Sequence, residues 1–301
     1  MTECISFMLI SMRRLGCREV SDRVLEELKA KTELFINKGN RAPSLAVVLV
    51  GENEASKTYV RKKEEAAEAL GFLHFQYNFN EDVRESELIS LIDTLNSDDG
   101  IDGILVQLPL PKHISEENII ERISAEKDVD GFSPVNAGRL MIGEKSFVPC
   151  TPKGILAVLR YYGIETAGKK AVVIGRSNIV GKPMAVLLMQ RGLDATVTVC
   201  NTKTPDLKEY TSDADIVIVA IGHPGTIDAS YVKDGATVID VGVNRIADSS
   251  REKGFRLVGD VDYKSFKNRD VSITPVPGGI GLMTVAMLME NTFEAAERRA
   301  E

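Results

Sequence analysis

Six short runs rich in β-branched residues constrain the fold of this chain more than any other feature. They are Ser44–Val50, Ile101–Gln107, Lys170–Gly175, Thr196–Cys200, Ala214–Ile221 and Ala236–Val241. Most are apolar along their length rather than alternating, the pattern of strands covered on both faces in a parallel sheet. Stretches with helical spacing lie around them: Val20–Ile36 with Ser21 as its expected N-cap, Ser56–Leu70 stopped by Gly71, residues 116–125, Pro183–Arg191, residues 206–212 and residues 284–299. Strand and helix in succession predict an α/β fold with a doubly wound parallel sheet. Residues 126–152 read as mostly irregular, because they hold Asp130-Gly131, Pro134 and Pro152. A domain boundary is expected near 149–152, with the chain crossing back near 275. The expected organisation is two domains with a cleft between them, 1–149 completed by 276–301, and 150–275. The length of 301 residues suits two domains.

Composition excludes several classes. Lys plus Arg is 37 and Asp plus Glu is 44, a net charge of −7, which argues against a nucleic-acid or anionic-membrane binder. The four cysteines, Cys4, Cys17, Cys150 and Cys200, form no C-x-x-C, and the three histidines are not at ligand spacing, so no protein-built metal site is expected. The apolar run Cys4–Met12 is too short to span a bilayer, and Arg13 and Arg14 follow it rather than precede it, unlike a signal peptide. Free cysteines without an export signal predict the cytoplasm.

After the strand at Lys170 comes Gly175-Arg176-Ser177-Asn178-Ile179-Val180-Gly181-Lys182-Pro183. Strand, glycine turn and helix is the dinucleotide layout, in which amides at the helix start face a pyrophosphate. Ser177 stands where a second glycine is usual. An NAD site places a carboxylate about 20 residues further on, at the ribose 2′-hydroxyl. Here the segment is Cys200-Asn201-Thr202-Lys203-Thr204, without a carboxylate, and Arg176 sits in the neighbouring loop. A guanidinium with hydroxyls suits a 2′-phosphate, so NADP is expected.

In the first domain, Tyr59 and Lys63 stand four residues apart on one helix and share a face. They follow the turn Gly51-Glu52-Asn53 at a strand's carboxyl end, where α/β sheets bind ligands. A lysine that transfers protons needs its pKa brought down, which nearby Arg61, Lys62 and partial burial favour. The same pair on spacing alone also fits a solvated helix face. Short-chain dehydrogenases share Tyr-x-x-x-Lys, but there it follows the glycine loop, whereas Tyr59 stands 116 residues ahead of Gly175. Val106-Gln107-Leu108 puts an amide at a strand end. Asp130 before Gly131 offers a carboxylate able to accept paired N–H bonds from an amino-pyrimidine, although Asp-Gly is also an ordinary turn.

Together the stretches VGENEASKTYVRKKEEAAEALGF, DGILVQLPLP, EKDVDGFSPVNAGRL, PCTPKG, VVIGRSNIVGKPMA, VIDVGVNR, VGDVD and TPVPGGIGLMTVAML run in order over residues 15–295. The chain thereby resembles the bifunctional methylenetetrahydrofolate dehydrogenase/cyclohydrolase family. The resemblance implies an N-terminal α/β catalytic domain and a Rossmann-like NADP domain. It implies oxidation of 5,10-methylenetetrahydrofolate with NADP+ and hydration to 10-formyltetrahydrofolate, in one-carbon metabolism. It makes Lys63 the catalytic lysine, with Tyr59 ordering the folate, Gln107 tuning Lys63 and Asp130 holding the pterin edge. Val106 and Leu108 join the substrate site, and Pro277, Gly278 and Gly279 close it. Gly175, Arg176, Ser177, Thr202 and Val243 fall at cofactor positions, Val243 at the nicotinamide side. It further implies a homodimer paired through the cofactor domains. Three departures stand out: Leu282 where the family usually has Pro, Cys200-Asn201-Thr202 where it usually has Cys-His-Ser, and residues 1–11 ahead of the usual start, with Met12 an alternative initiator. A single-activity dehydrogenase would use the same residues. A non-catalytic binding module would be expected to lack Lys63 or Gln107, and both are present.

Overall fold

All six apolar runs form strands. In the computed structural model, which describes residues 12–251 and 254–301, the chain begins with β1 (Arg13–Arg14), α1 (Cys17–Asn37), β2 (Ser44–Val50), α2 (Glu54–Ala69) and β3 (Leu73–Phe79). It continues through α3 (Glu85–Ser97), β4 (Gly103–Val106), α4 (Glu116–Arg122), α5 (Pro134–Ile142) and α6 (Cys150–Tyr161). Then come β5 (Lys170–Ile174), α7 (Gly181–Leu188), β6 (Thr196–Cys200), α8 (Leu207–Thr211), β7 (Ile216–Val219) and β8 (Thr237–Asp240). The chain closes with β9 (Asn244–Ala247), β10 (Phe255–Val258), β11 (Ser272–Ile273) and α9 (Met283–Ala300). The early apolar run lies outside the described residues except for Met12. No helix among those described is long and apolar enough to cross a membrane.

The chain divides into two compact units, Arg18–Ala157 with Leu282–Glu301, and Met1–Cys17 with Val158–Gly281. The first holds a three-stranded parallel sheet in the order β3-β2-β4. Every residue of β2 is buried, as its unbroken apolar run predicts. Burial of each such Val or Leu side chain stabilises by roughly 1.5–3 kcal/mol. The second unit holds a six-stranded sheet, β1-β11-β8-β7-β5-β6, parallel throughout, and the antiparallel hairpin β9–β10.

Two expectations are corrected and one is refined. Residues 126–152 lie mostly outside helices and strands, as expected, but they also hold α5: Ser133 caps it through its hydroxyl, Pro134 needs no N–H at the first position, and Gly143 closes the helix at φ 76°. Ser21 is no N-cap, because α1 starts at Cys17, and its hydroxyl donates to the Leu282 carbonyl. Pro183 is the third residue of α7, not the first. The position expected for the boundary, 149–152, falls at the start of α6, and the compact units part at Ala157. The first half of α6 packs on α9. A Cβ on Gly154 would stand 2.6 Å from the Met283 Cβ, and Lys153 Nζ donates to Asn291 Oδ1 at 2.7 Å. The chain re-enters the first unit at Leu282.

Candidate functional site

In the first unit, Asn53 starts α2 by accepting from the Ser56 amide at 3.1 Å. One helical turn on, Tyr59 stands 43% exposed, and half-buried Lys63 lies four residues beyond it on the same face. Lys63 Nζ donates to Gln107 Oε1 at 2.8 Å. The Gln107 amide nitrogen donates to the Leu108 carbonyl at 2.7 Å, which turns the acceptor oxygen toward the lysine. The Gln107 backbone N–H extends the β2–β4 pairing by donating to Val48 O, so the amide stands at a rigid strand end.

Asp130 arrives from another direction. The segment at Lys127–Val129 runs beside β4, with Ile104 N donating to Lys127 O at 2.8 Å and a parallel bridge between Ile104 and Asp128. Gly103 permits that approach, since a Cβ there would meet Val129 Cγ1 at 2.7 Å. Buried Asp128 accepts from the Gly131, Phe132 and Ser133 amides and from Asn136 Nδ2, which fixes the turn. Gly131, at φ 72°, cannot carry a side chain: its Cβ would lie 2.7 Å from Phe147 O. Half-buried Asp130 therefore projects from a braced backbone. Burial pushes its carboxyl up to about 6, against the pull of Lys63. Burial pushes the Lys63 ammonium below its ordinary value, and the charge of Asp130 opposes that. Cys150, whose thiol donates to Asp130 Oδ1 at 3.8 Å, is held well above the usual thiol range by burial.

The structure thus brings Lys63, Gln107 and Asp130 together, with Tyr59 on the Lys63 face. Val106 stands just before Gln107. Its side chain is 5% exposed and packs in the core among Ala46, Val48 and Ile104, so only its backbone is available to a ligand; Leu108 packs on the same core. Pro277, Gly278 and Gly279 belong to the second unit rather than to that of Lys63. There Gly278 stands at φ 96°, and a Cβ on Gly279 would lie 2.2 Å from Pro275 O.

The second unit carries the residues expected at the nucleotide, at the carboxyl ends of its strands. Gly175, at φ 126°, leaves no space for a Cβ, which would sit 2.2 Å from Ala220 O. Gly181 is equally tight, 2.3 Å from Gly175 O. The helix-start amides differ from expectation. The Val180 and Gly181 N–H groups donate to Ser177 Oγ at 3.2 and 3.4 Å, and Lys182 N to Ser177 O at 3.0 Å. The first two of these amides are thus met by the Ser177 hydroxyl, which a glycine would lack. Arg176 is exposed on the same loop, and Thr202 is exposed beyond β6. Val243 is 47% exposed, between Gly242, whose N–H donates to Asp240, and Asn244, whose side chain donates to Asp260.

Sequence reasoning misses Cys150 and Asn291 as part of the Lys63 surroundings. A polar Asn on the apolar face of α9 is the available signal.

Comparison with known proteins agrees with this geometry. Residues 15–130 match the tetrahydrofolate dehydrogenase/cyclohydrolase catalytic domain, and residues 149–300 match the NAD(P)-binding domain of the same family. The bifunctional FolD protein of Campylobacter hominis is 52% identical over 288 residues, covering 96% of this chain and 98% of its own. The crystal structure of the Campylobacter jejuni FolD methylenetetrahydrofolate dehydrogenase/cyclohydrolase superposes with a TM-score of 0.90 at 48% identity, covering 96% of this chain and 100% of that one. The Trypanosoma brucei FolD structure, complexed with NADP cofactor and inhibitor, gives a TM-score of 0.90 at 39% identity, covering 97% of this chain and 99% of that one. With two family domains matched in order and relatives aligned along nearly the whole chain, this protein belongs to the tetrahydrofolate dehydrogenase/cyclohydrolase family.

Proposed function

We propose that this chain oxidises 5,10-methylenetetrahydrofolate to the methenyl form with NADP+ and then hydrates that cation to 10-formyltetrahydrofolate. The observation that carries the reading is the Lys63–Gln107 hydrogen bond of 2.8 Å, with the Asp130 carboxyl acting on the same ammonium. Hydration needs a group that takes a proton from water as it adds to the methenyl carbon. A lysine with a lowered pKa holds more neutral amine near neutral pH and can accept that proton. Gln107 aims the amine, and Asp130, kept from full ionisation by burial, has the acceptor geometry for an amino-pyrimidine edge. Tyr59, exposed on the same face, offers a ring for the folate to lie against.

NADP+, when bound, supplies the hydride acceptor. The residues of the second unit fit it: Gly175 and Gly181 keep the loop free of side chains, and exposed Arg176 and Thr202 supply a guanidinium and a hydroxyl for a 2′-phosphate. Asn201, at the position where NAD sites carry a carboxylate, turns its side chain to the Lys203 amide at 3.0 Å. Pairing of two copies is supported by β6, which forms the outer edge of the six-stranded sheet with Val199 42% exposed.

The test is Lys63→Met beside Lys63→Arg. Lys63→Met is expected to abolish cyclohydrolase turnover and also to lower dehydrogenase turnover through lost folate positioning. Lys63→Arg, which keeps charge but cannot release a proton usefully, retains more dehydrogenase than cyclohydrolase activity. Cyclohydrolase turnover intact in folded Lys63→Met would overturn the assignment.

A further inference from the structure

Asn291 lies on α9, far along the chain from any motif residue of the Lys63 site, yet its side chain is completely buried and fully used. Nδ2 donates to Val129 O at 2.8 Å and to Val148 O at 3.0 Å, and lies 3.9 Å from the Cys150 sulfur. Oδ1 accepts from Lys153 Nζ at 2.7 Å. Lys153 is in turn paired with Glu290 at 3.1 Å and Glu294 at 3.8 Å on the same face of α9. Removing this buried amide takes from the Val148 carbonyl its partner among the bonds described and leaves the Val129 carbonyl with only the weak Cys150 thiol bond, while Lys153 keeps its two glutamates. The carbonyls belong to the residue before Asp130 and to a residue two before Cys150.

We propose that Asn291 is a positioning residue of the folate unit: by tying Val129 O to Val148 O and to Lys153, it fixes Asp130 where its carboxylate acts on Lys63. Asp128 braces the chain after Asp130, through Gly131, Phe132 and Ser133. Asn291 braces the chain before it. The Asp130 side chain itself receives only the weak Cys150 thiol bond among the bonds described, so backbone bracing sets its place. The inference rests on the reading of Lys63 and Asp130 as the reacting pair only for its functional consequence; the geometry is independent of it.

The charges around Lys63 give the sign. Asp130 and Cys150 act on Lys63, and Asp130 raises its hold on the proton against burial. Asp128, Lys63 and Cys150 act on Asp130, and Lys153 acts on Cys150. If Asp130 is released, burial of Lys63 is less opposed and the amine loses its proton at lower pH. The experiment is a pulse of acetic anhydride on the intact enzyme across a pH series. Acetylation of Lys63 is followed by peptide mass, with exposed Lys29 as internal reference. Only neutral amine reacts, so the midpoint of rate against pH reads the protonation of Lys63, while the plateau reads its accessibility. In Asn291→Leu the midpoint is expected to move to lower pH, with Lys63 acetylation at pH 8 about threefold faster relative to its plateau. If Asn291→Leu does not fold, Asn291→Ser, which leaves space in place of apolar bulk, carries the same expectation. A folded variant with an unmoved midpoint and a lowered melting temperature would make Asn291 merely structural and overturn the proposal. Because the readout needs no turnover, an active Lys63→Met would sink the proposed function while leaving this inference standing.

Discussion

Replacing Asp130 with asparagine should stabilise the protein at neutral pH while weakening folate binding, and the size of the gain should follow pH in a calculable way. Burial holds the Asp130 carboxyl at about 6, from an ordinary 3.8. Below pH 3.8 the group is protonated in both folded and unfolded chains and contributes nothing. Between 3.8 and 6 the unfolded chain gives up the proton while the folded one keeps it, so stability falls as pH rises. Above 6 the full cost is reached, roughly 3 kcal/mol at about 1.36 kcal/mol per pH unit. A side-chain amide at this position would be near-isosteric and never ionise, so it escapes that cost. The pull of Lys63 on the carboxylate is already contained in that value, so losing it returns none of the gain. A net gain of about 3 kcal/mol at pH 8 is expected, a rise of several degrees in melting temperature for a domain of this size. At pH 4.5 the gain should shrink below about 1 kcal/mol. The assay is thermal unfolding of wild type and Asp130→Asn at pH 4.5, 6 and 8, with folate KM measured on the same samples. A stability difference that does not change with pH would show that the carboxyl is not held protonated by its site, and would refute the reasoning.

Two further outcomes concern the second unit. Arg176→Ala should raise KM for NADP+ several-fold more than KM for NAD+, as steady-state kinetics with each cofactor would show, since only NADP+ carries the phosphate a guanidinium would hold; equal changes would count against it. Light scattering should give a mass twice that of one chain, and a mass equal to one chain would remove the pairing proposed at the β6 edge.

Much of the fold is readable because parallel strands buried on both faces leave dense apolar runs. Ser44–Val50 and Thr196–Cys200 are observed with the expected ends. β3 escapes because Leu73–Phe79 lies at the sheet edge with half of its side chains exposed, so its run mixes His, Gln and Asn with aromatics. α5 escapes because Pro134 reads as a breaker, although Ser133 before it is a cap and proline is welcome at a first helical position. α6 escapes for a related reason: Pro152 sits in its first turn, and Gly154 is there to admit Met283. Tyr59 and Lys63 are legible through helical spacing. Their link to Gln107, 44 residues from Lys63, depends on the register of β4 against β2, which periodicity does not reveal.

The two aspartates of Asp128-Val129-Asp130 show what decides a role that sequence cannot. They are the same residue type, two apart, and both precede the same glycine turn. Asp128 meets three backbone amides and the Asn136 side chain, so its acceptor capacity is spent on holding the chain. Asp130 meets no backbone donor among the bonds described, only the Cys150 thiol and the field of Lys63. A carboxylate with its oxygens filled by amides is structure; one left with spare acceptors beside a buried cation can take a ligand's N–H groups. The same division recurs in the second unit. Asp240 accepts from the Gly242, Asp260 and Val261 amides, and Asp260 from the Ile221 and Gly222 amides and Asn244, so both are spent on bracing the loop that presents Val243. Their own side chains crowd Gly242 and Gly259, whose Cβ atoms would stand 2.2 and 1.7 Å from the nearest carboxylate oxygen. The glycines in VIDVGVNR and VGDVD thus make room for carboxylates that hold backbone rather than for a ligand, which is why those motifs are specific without being reactive.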